Sequence, residues 1–267
     1  MTRIRTTAWS LAACIAALIS APTTAQEIHS ALCIYGCPFG SPATNDLIIR
    51  DIYILSSNDD TKFADWTAYR VTANTIGSTD VRVWRSDPDL APDETLEPED
   101  YEGANSALKT DRGHQVPLAS FTGTDHAAET NFLSNITPQK SALNQGPWER
   151  LESAERSLAM REGSPVVYVM TGPVYLRDMP PLPKADEPHK VPSGYWKIVS
   201  IEGGNGLKVA GFFFDQETPR KDLYCDHTTT VGEIEAMTGL RFFHELGKVS
   251  ADGIRQSQAT LKSEIGC

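Results

Sequence analysis

The pattern of apolar and polar positions changes period several times along the chain. Residues 47–55 (LIIRDIYIL) and 66–71 carry the β-branched and aromatic content of strands, and strands are expected again at 166–170, 195–201 and 208–214. Residues 116–121 and 131–136 are short extended candidates. From Ser141 to Glu162 the spacing turns helical, with Leu143, Trp148, Leu151, Leu158 and Met160 as its apolar positions and Pro147 tolerable only near the first turn. Thr230-Val231-Gly232-Glu233 reads as a capping box that opens a helix running through Met237. The Pro- and Asp-rich stretch 86–100 reads as a surface loop. There is no internal repeat, long linker or low-complexity tract. Strands and helices mix without regular βαβ alternation, so the expected class is α+β, a single mixed α/β domain with antiparallel pairing.

The first 25 residues read as a secretion signal peptide rather than as part of this domain. Arg3 and Arg5 form a basic start, residues 8–19 are mostly apolar, and Thr23-Thr24-Ala25 offers small residues for cleavage before Gln26. The apolar run is shorter than the ~20 residues a membrane span needs. Leu11-Ala12-Ala13-Cys14 also fits a bacterial lipoprotein box, but that reading ignores the apolar residues after Cys14. The expected mature domain is therefore 26–267, secreted or periplasmic. Its loss of two arginines takes the net charge from −11 to −13, which argues against coating nucleic acid by global attraction but not against a local basic cleft. Four cysteines remain, Cys33, Cys37, Cys225 and Cys267. In an exported chain they suggest two disulfides with three connectivities. Sequence locality favours Cys33–Cys37 and Cys225–Cys267, and zinc is disfavoured because no C-x-x-C pair is present.

The chain has no H-E-x-x-H, G-x-S-x-G or P-loop motif, which removes support for zincins, serine hydrolases of that type and nucleotide switches. What stands out is Asp111-Arg112-Gly113-His114, with Asn144-Gln145-Gly146 some thirty residues later at the head of the helical stretch. An imidazole beside a guanidinium can be a base held next to an anion-binding group, although a lone motif of this kind more often marks a structural histidine.

The wider set is more specific. Asp111-Arg112-Gly113-His114-Gln115, Asn131-Phe132-Leu133-Ser134-Asn135-Ile136-Thr137-Pro138-Gln139 and Leu143-Asn144-Gln145-Gly146, followed by Trp148, Leu151 and Glu152, resemble the DNA/RNA non-specific endonucleases, the ββα-metal or His-Me finger enzymes. The resemblance extends upstream to Arg82-Val83-Trp84-Arg85-Ser86-Asp87-Pro88 and downstream to Thr171-Gly172-Pro173-Val174-Tyr175. It implies a central antiparallel β-sheet flanked by helices and a ββα-metal active site. It implies Mg²⁺, with Mn²⁺ as a substitute, bound through Asn144, and His114 as general base. Neutral imidazole can take a proton from water near pH 7, and Mg²⁺ needs few protein ligands because it keeps several waters.

Arg82 and Arg112 match family arginines that face the phosphate, a role suited to an always-charged planar fork. Glu152 lies eight residues after Asn144, which on an ideal helix is about 80° round and about 12 Å along the axis. That offset suits a carboxylate gripping a metal-bound water. Asn135, Gln139 and Arg156 are expected to contact substrate or orient groups that do. The implied activity is hydrolysis of single- and double-stranded DNA and RNA to 5′-phosphate ends. The rival readings are a secreted nucleic-acid-binding protein with lost catalysis and a phosphodiesterase of narrower range. A homodimer and an inhibitor protein are left open.

Overall fold

The computed structural model describes residues 28–78, 82–163, 165–204, 206–257 and 260–267. The expected signal peptide and Cys14 lie outside these residues. Seven antiparallel strands form one sheet in the order β1-β2-β3-β6-β7-β8-β9: β1 (Asp46–Ile49), β2 (Tyr53–Asn58), β3 (Phe63–Val71), β6 (Val167–Val174), β7 (Gly194–Gly203), β8 (Gly206–Asp215) and β9 (Thr228–Thr229). A separate two-stranded hairpin pairs β4 (Thr110–His114) with β5 (Ile136–Lys140). The helices are α1 (Ala104–Leu108), α2 (Ser141–Leu143), α3 (Glu149–Ala159), α4 (Val231–Thr238) and α5 (Lys248–Gln256). Among the described residues no helix is long and apolar enough to cross a membrane.

Alternation along the strands gives the sheet two apolar faces. Tyr195 and Val199 turn to one face, where Tyr69, Phe212 and Phe214 meet Leu143, Trp148, Leu151 and Leu158 of the helical segment after β5. Trp196 and Ile198 turn to the other, against Val231 and Ile234 of α4, Phe242, and the loop closed by Cys33 and Cys37. A third cluster, with Phe63, Leu96, Tyr101, Leu133 and Ile136, underlies the β4–β5 hairpin. The central antiparallel sheet with flanking helices is the expected class. Both disulfides form as sequence locality suggested, Cys33–Cys37 and Cys225–Cys267. The predicted capping box at Thr230 is present, its side chain accepting from the backbone N–H of Glu233.

Two expectations need correction. Residues 47–55 are not one strand but the β1–β2 hairpin. The chain reverses at Arg50-Asp51, where the N–H of Arg50 donates to the carbonyl of Tyr53 at 2.9 Å and its guanidinium pairs with buried Asp87. Residues 116–121 and 131–135 are not extended. They form short 3₁₀ turns, Leu118–Ser120, Ala127–Asn131 and Leu133–Asn135, whose backbone groups bond largely within the turns while the buried Asn135 amide ties Val116 to Thr130; Phe132 makes a single parallel bridge to Arg85, and Ile136 opens β5 as expected. The 86–100 stretch is a surface loop as expected, anchored where Asp87, Thr95 and Leu96 are buried.

Candidate active site

The site is built on the β4–β5 hairpin and the helical segment that follows it. Arg112 and His114 lie two apart on β4 and so project from the same face. Gly113 between them is required by a close approach, for a Cβ there would lie 2.6 Å from the Cβ of Gln139 on β5. After β5 the chain turns into α2, then through a wide turn at Asn144–Trp148 into α3. Gly146 breaks the helix at φ −121°, ψ −121°, and a Cβ there would meet the carbonyl oxygen of Arg220 at 2.9 Å. The expected helix is therefore bent at Gly146, and the ideal-helix offset between Asn144 and Glu152 does not apply across the bend.

Two adjoining concavities share the walls made by Arg82, Arg112, Asn144 and Gln145. One, about 300 Å³, also exposes His114, Glu149, Glu152 and Arg156. The other, about 450 Å³, is lined further by Trp84, Tyr101, Asn105 and Asp111. Six of the residues singled out from the sequence, Arg82, Arg112, His114, Asn144, Glu152 and Arg156, thus face one cleft although they span 75 positions of the chain.

His114 is partly buried, with its ring tilted over Trp84 at 5.3 Å. Its Nε2 lies 3.2 Å from Oδ1 of Asn131, whose Nδ2 points to the carbonyl of Ala128. That network assigns the proton to Nε2 and leaves Nδ1 as the basic nitrogen. Burial and then the Arg82 charge outweigh the Asn131 hydrogen bond and push the imidazole down to about 4, so it is neutral at physiological pH.

Arg112 donates from Nη2 to the carbonyl of Pro98 at 2.6 Å. Its guanidinium packs beside Trp84 at 5.6 Å and Tyr101 at 5.3 Å. Arg82 is exposed at the mouth. Arg156 is held by Ser153 at 2.7 Å and Glu149 at 3.8 Å.

Asn144 is fixed by a residue to which the sequence reading gave no separate role. Its Nδ2 donates to Asp111 at 3.0 Å, and Gln145, Ser141 and Asn105 donate to the same carboxylate at 2.7, 2.6 and 3.1 Å. Burial alone would raise Asp111, but these four donors hold it below the usual aspartate range. With its nitrogen committed to Asp111, Asn144 has its carbonyl oxygen as the available donor atom. The amide oxygen of Asn144, with the Glu149 and Glu152 carboxylates farther along the same wall to hold water, fits a hard divalent cation that keeps most of its water. All four cysteines of the described residues are tied in disulfides.

Glu152 is 12% exposed at the side chain, with Lys197 3.9 Å behind it. Burial lifts its carboxyl to about 7, against the opposing charge of Lys197. Asn135 and Gln139 are not brought to the cleft. Asn135 is fully buried and accepts from the N–H of Val116 while donating to the carbonyls of Val116 and Thr130. Gln139 is buried beneath Gly113. Asn135 thus ties two loops together, and neither side chain lines the cleft.

Asn131 and Asp111 stand inside the 131–139 and 111–115 motifs, whose spacing marks them without telling their tasks. Lys197 had a different signal, a charged residue at an inward position of strand β7.

A base, an amide oxygen and several guanidinium groups round one polar cleft, carried on a strand hairpin and the helix after it, define a ββα-metal phosphodiester hydrolase. Residues 29–248 match the family model for DNA/RNA non-specific endonuclease, and the chain belongs to that family of metal-dependent nucleases. It is 44% identical over 259 residues to a nuclease of Serratia marcescens, covering 97% of this chain and 96% of that one. It is 29% identical over 184 residues to human mitochondrial endonuclease G, covering 63% of this chain and 59% of that one. Among solved structures, that of the EndoG/EndoGI complex matches its fold with a TM-score of 0.67 at 22% identity, over 78% of this chain and 90% of that one. The protein is accordingly a nuclease that hydrolyses phosphodiester bonds of nucleic acid.

Proposed function

We propose that this nuclease is exported, depends on Mg²⁺, and cuts DNA and RNA, single- or double-stranded, to 5′-phosphate products. The observation that carries the reaction is the imidazole of His114, kept neutral and fixed in one tautomer by Asn131 on the wall facing Asn144. In the step we propose, Nδ1 of His114 removes a proton from a water while the water oxygen forms a bond to phosphorus. The bond from phosphorus to the 3′ oxygen breaks, its electron pair stays on that oxygen, and a solvent proton completes the hydroxyl. The phosphate remains on the 5′ side. Arg82 and Arg112 neutralise the charge gathering on the non-bridging oxygens. Asn144 would hold the Mg²⁺, which supplies Lewis-acid polarisation of the phosphate when bound, and Glu152 and Arg156 order water and phosphate beside it. Mn²⁺ is the expected substitute.

The cleft presents side chains suited to phosphate rather than a base-reading element, which supports indifference to sequence and sugar. The leader at 1–25 and the paired cysteines support export. The test is digestion of supercoiled plasmid and of ribosomal RNA by the purified mature chain with Mg²⁺, with Mn²⁺ and with EDTA, and mapping of the ends. The expected result is metal-dependent smearing of both substrates with 5′-phosphate ends. Binding without turnover over several divalent metals would return the protein to the binding-only alternative.

A further inference from the structure

We infer that Lys197 is a positioning residue of the active site, a buried cation that anchors the Glu152 carboxylate from the central sheet. The inference rests on the active-site reading above. Lys197 occupies a core-facing position of β7, on the same face as Tyr195 and Val199, and its side chain is fully buried. Its Nζ lies 3.1 Å from Oε1 of Glu155, 3.9 Å from Oε1 of Glu152 and 4.2 Å from the centre of the Trp148 ring. It also lies 3.5 Å from the hydroxyl of Tyr69, which donates to the other oxygen of Glu155 at 3.1 Å.

A buried ion pair by itself gains little over apolar side chains of the same size. The Lys197–Glu155 pair therefore needs another reason to sit here, and the third group it reaches supplies one. Glu152 stands between this network and the cleft, so the cation on rigid β7 fixes where its carboxylate rests and favours its ionised form. Charged and titratable groups face Glu152 from every side: Lys197 on β7, Tyr69 on β3, Glu149, Glu155 and Arg156 on α3, and across the cleft Arg82, Arg112 and His114. Of these, Lys197 exerts the largest lowering on it, with Glu155 opposing.

The test is the pH dependence of kcat/KM for the full mature chain with saturating Mg²⁺, comparing wild type with Lys197→Met, Glu155→Gln and Glu152→Gln. Removing the cation moves the acid limb up by about one to three pH units, so activity lost at neutrality returns in alkali. Removing the competing anion in Glu155→Gln moves the limb the other way. A merely structural role would lower activity equally at all pH values; that result, or an unmoved limb in either folded variant, overturns the inference. If Lys197→Met does not fold, the double variant Lys197→Met/Glu155→Gln, which leaves no unpaired buried charge, decides: an acid limb above that of Glu155→Gln alone supports the inference, and an equal limb overturns it. Wild-type activity in Glu152→Gln would overturn the site reading itself, whereas an inactive Glu152→Gln with unmoved limbs in the other variants overturns only the part assigned to Lys197.

Discussion

Single side chains in this cleft act through what holds them. Asp111 gathers four donors, and one of them is the amide nitrogen of Asn144. Without that carboxylate the amide is free to rotate and its oxygen is no longer presented in one direction. Asp111→Ala should therefore weaken Mn²⁺ binding about 10–100-fold, the usual effect of losing a partner that orients a ligand, measurable by calorimetry in the absence of substrate. His114 makes a second prediction, on stability. Its folded-state value of about 4 lies below the ~6.5 of an unfolded histidine, so the unfolded chain binds more protons between these values. Stability must fall as pH drops from 6.5 towards 4, and His114→Gln should lose less over that window in urea titrations.

At the scale of elements, legibility followed periodicity. Strands β6, β7 and β8 and helix α4 announced themselves through β-branched runs and a capping box, and the segment after Ser141 through its apolar spacing. What misled was apolar content without a partner strand. Residues 116–121 and 131–135 read as extended, yet their backbones close into local 3₁₀ turns and the Asn135 amide ties Val116 to Thr130. The same burial removed Asn135 and Gln139 from the substrate surface, which motif position alone could not reveal. The arginine and aspartate in the middle of residues 47–55 were the overlooked sign of a reversal.

Asn135→Ala leaves three backbone groups in the interior without their partner. It should lower unfolding free energy by about 3 kcal/mol, seen as a reduced urea midpoint, while the surviving folded fraction keeps the wild-type KM. A raised KM with unchanged stability would restore it as a substrate contact.

Over the whole molecule, the sheet is the platform to which both the site helix and the two disulfide-closed regions are fixed. Cys33–Cys37 spans 4 residues and Cys225–Cys267 spans 42. By chain entropy the first is worth about 2 kcal/mol and the second about 4 kcal/mol. Replacing the second pair by serine should therefore cost the larger share of stability in denaturant titration, with activity of the folded fraction retained because neither bridge lines the cleft. The acidic chain, at −11 overall, leaves attraction for phosphate to local groups, and Arg82, Arg112 and Arg156 are the arginines that line the cleft beside His114.

The proposed chemistry depends most on His114 as the group that removes the proton. Its most direct test is plasmid and RNA cleavage by purified His114→Ala beside wild type with Mg²⁺, both proteins first matched by circular dichroism and Mn²⁺ affinity. The expected result is a folded variant that binds metal normally and cleaves neither substrate. Cleavage at the wild-type rate by that variant would contradict it.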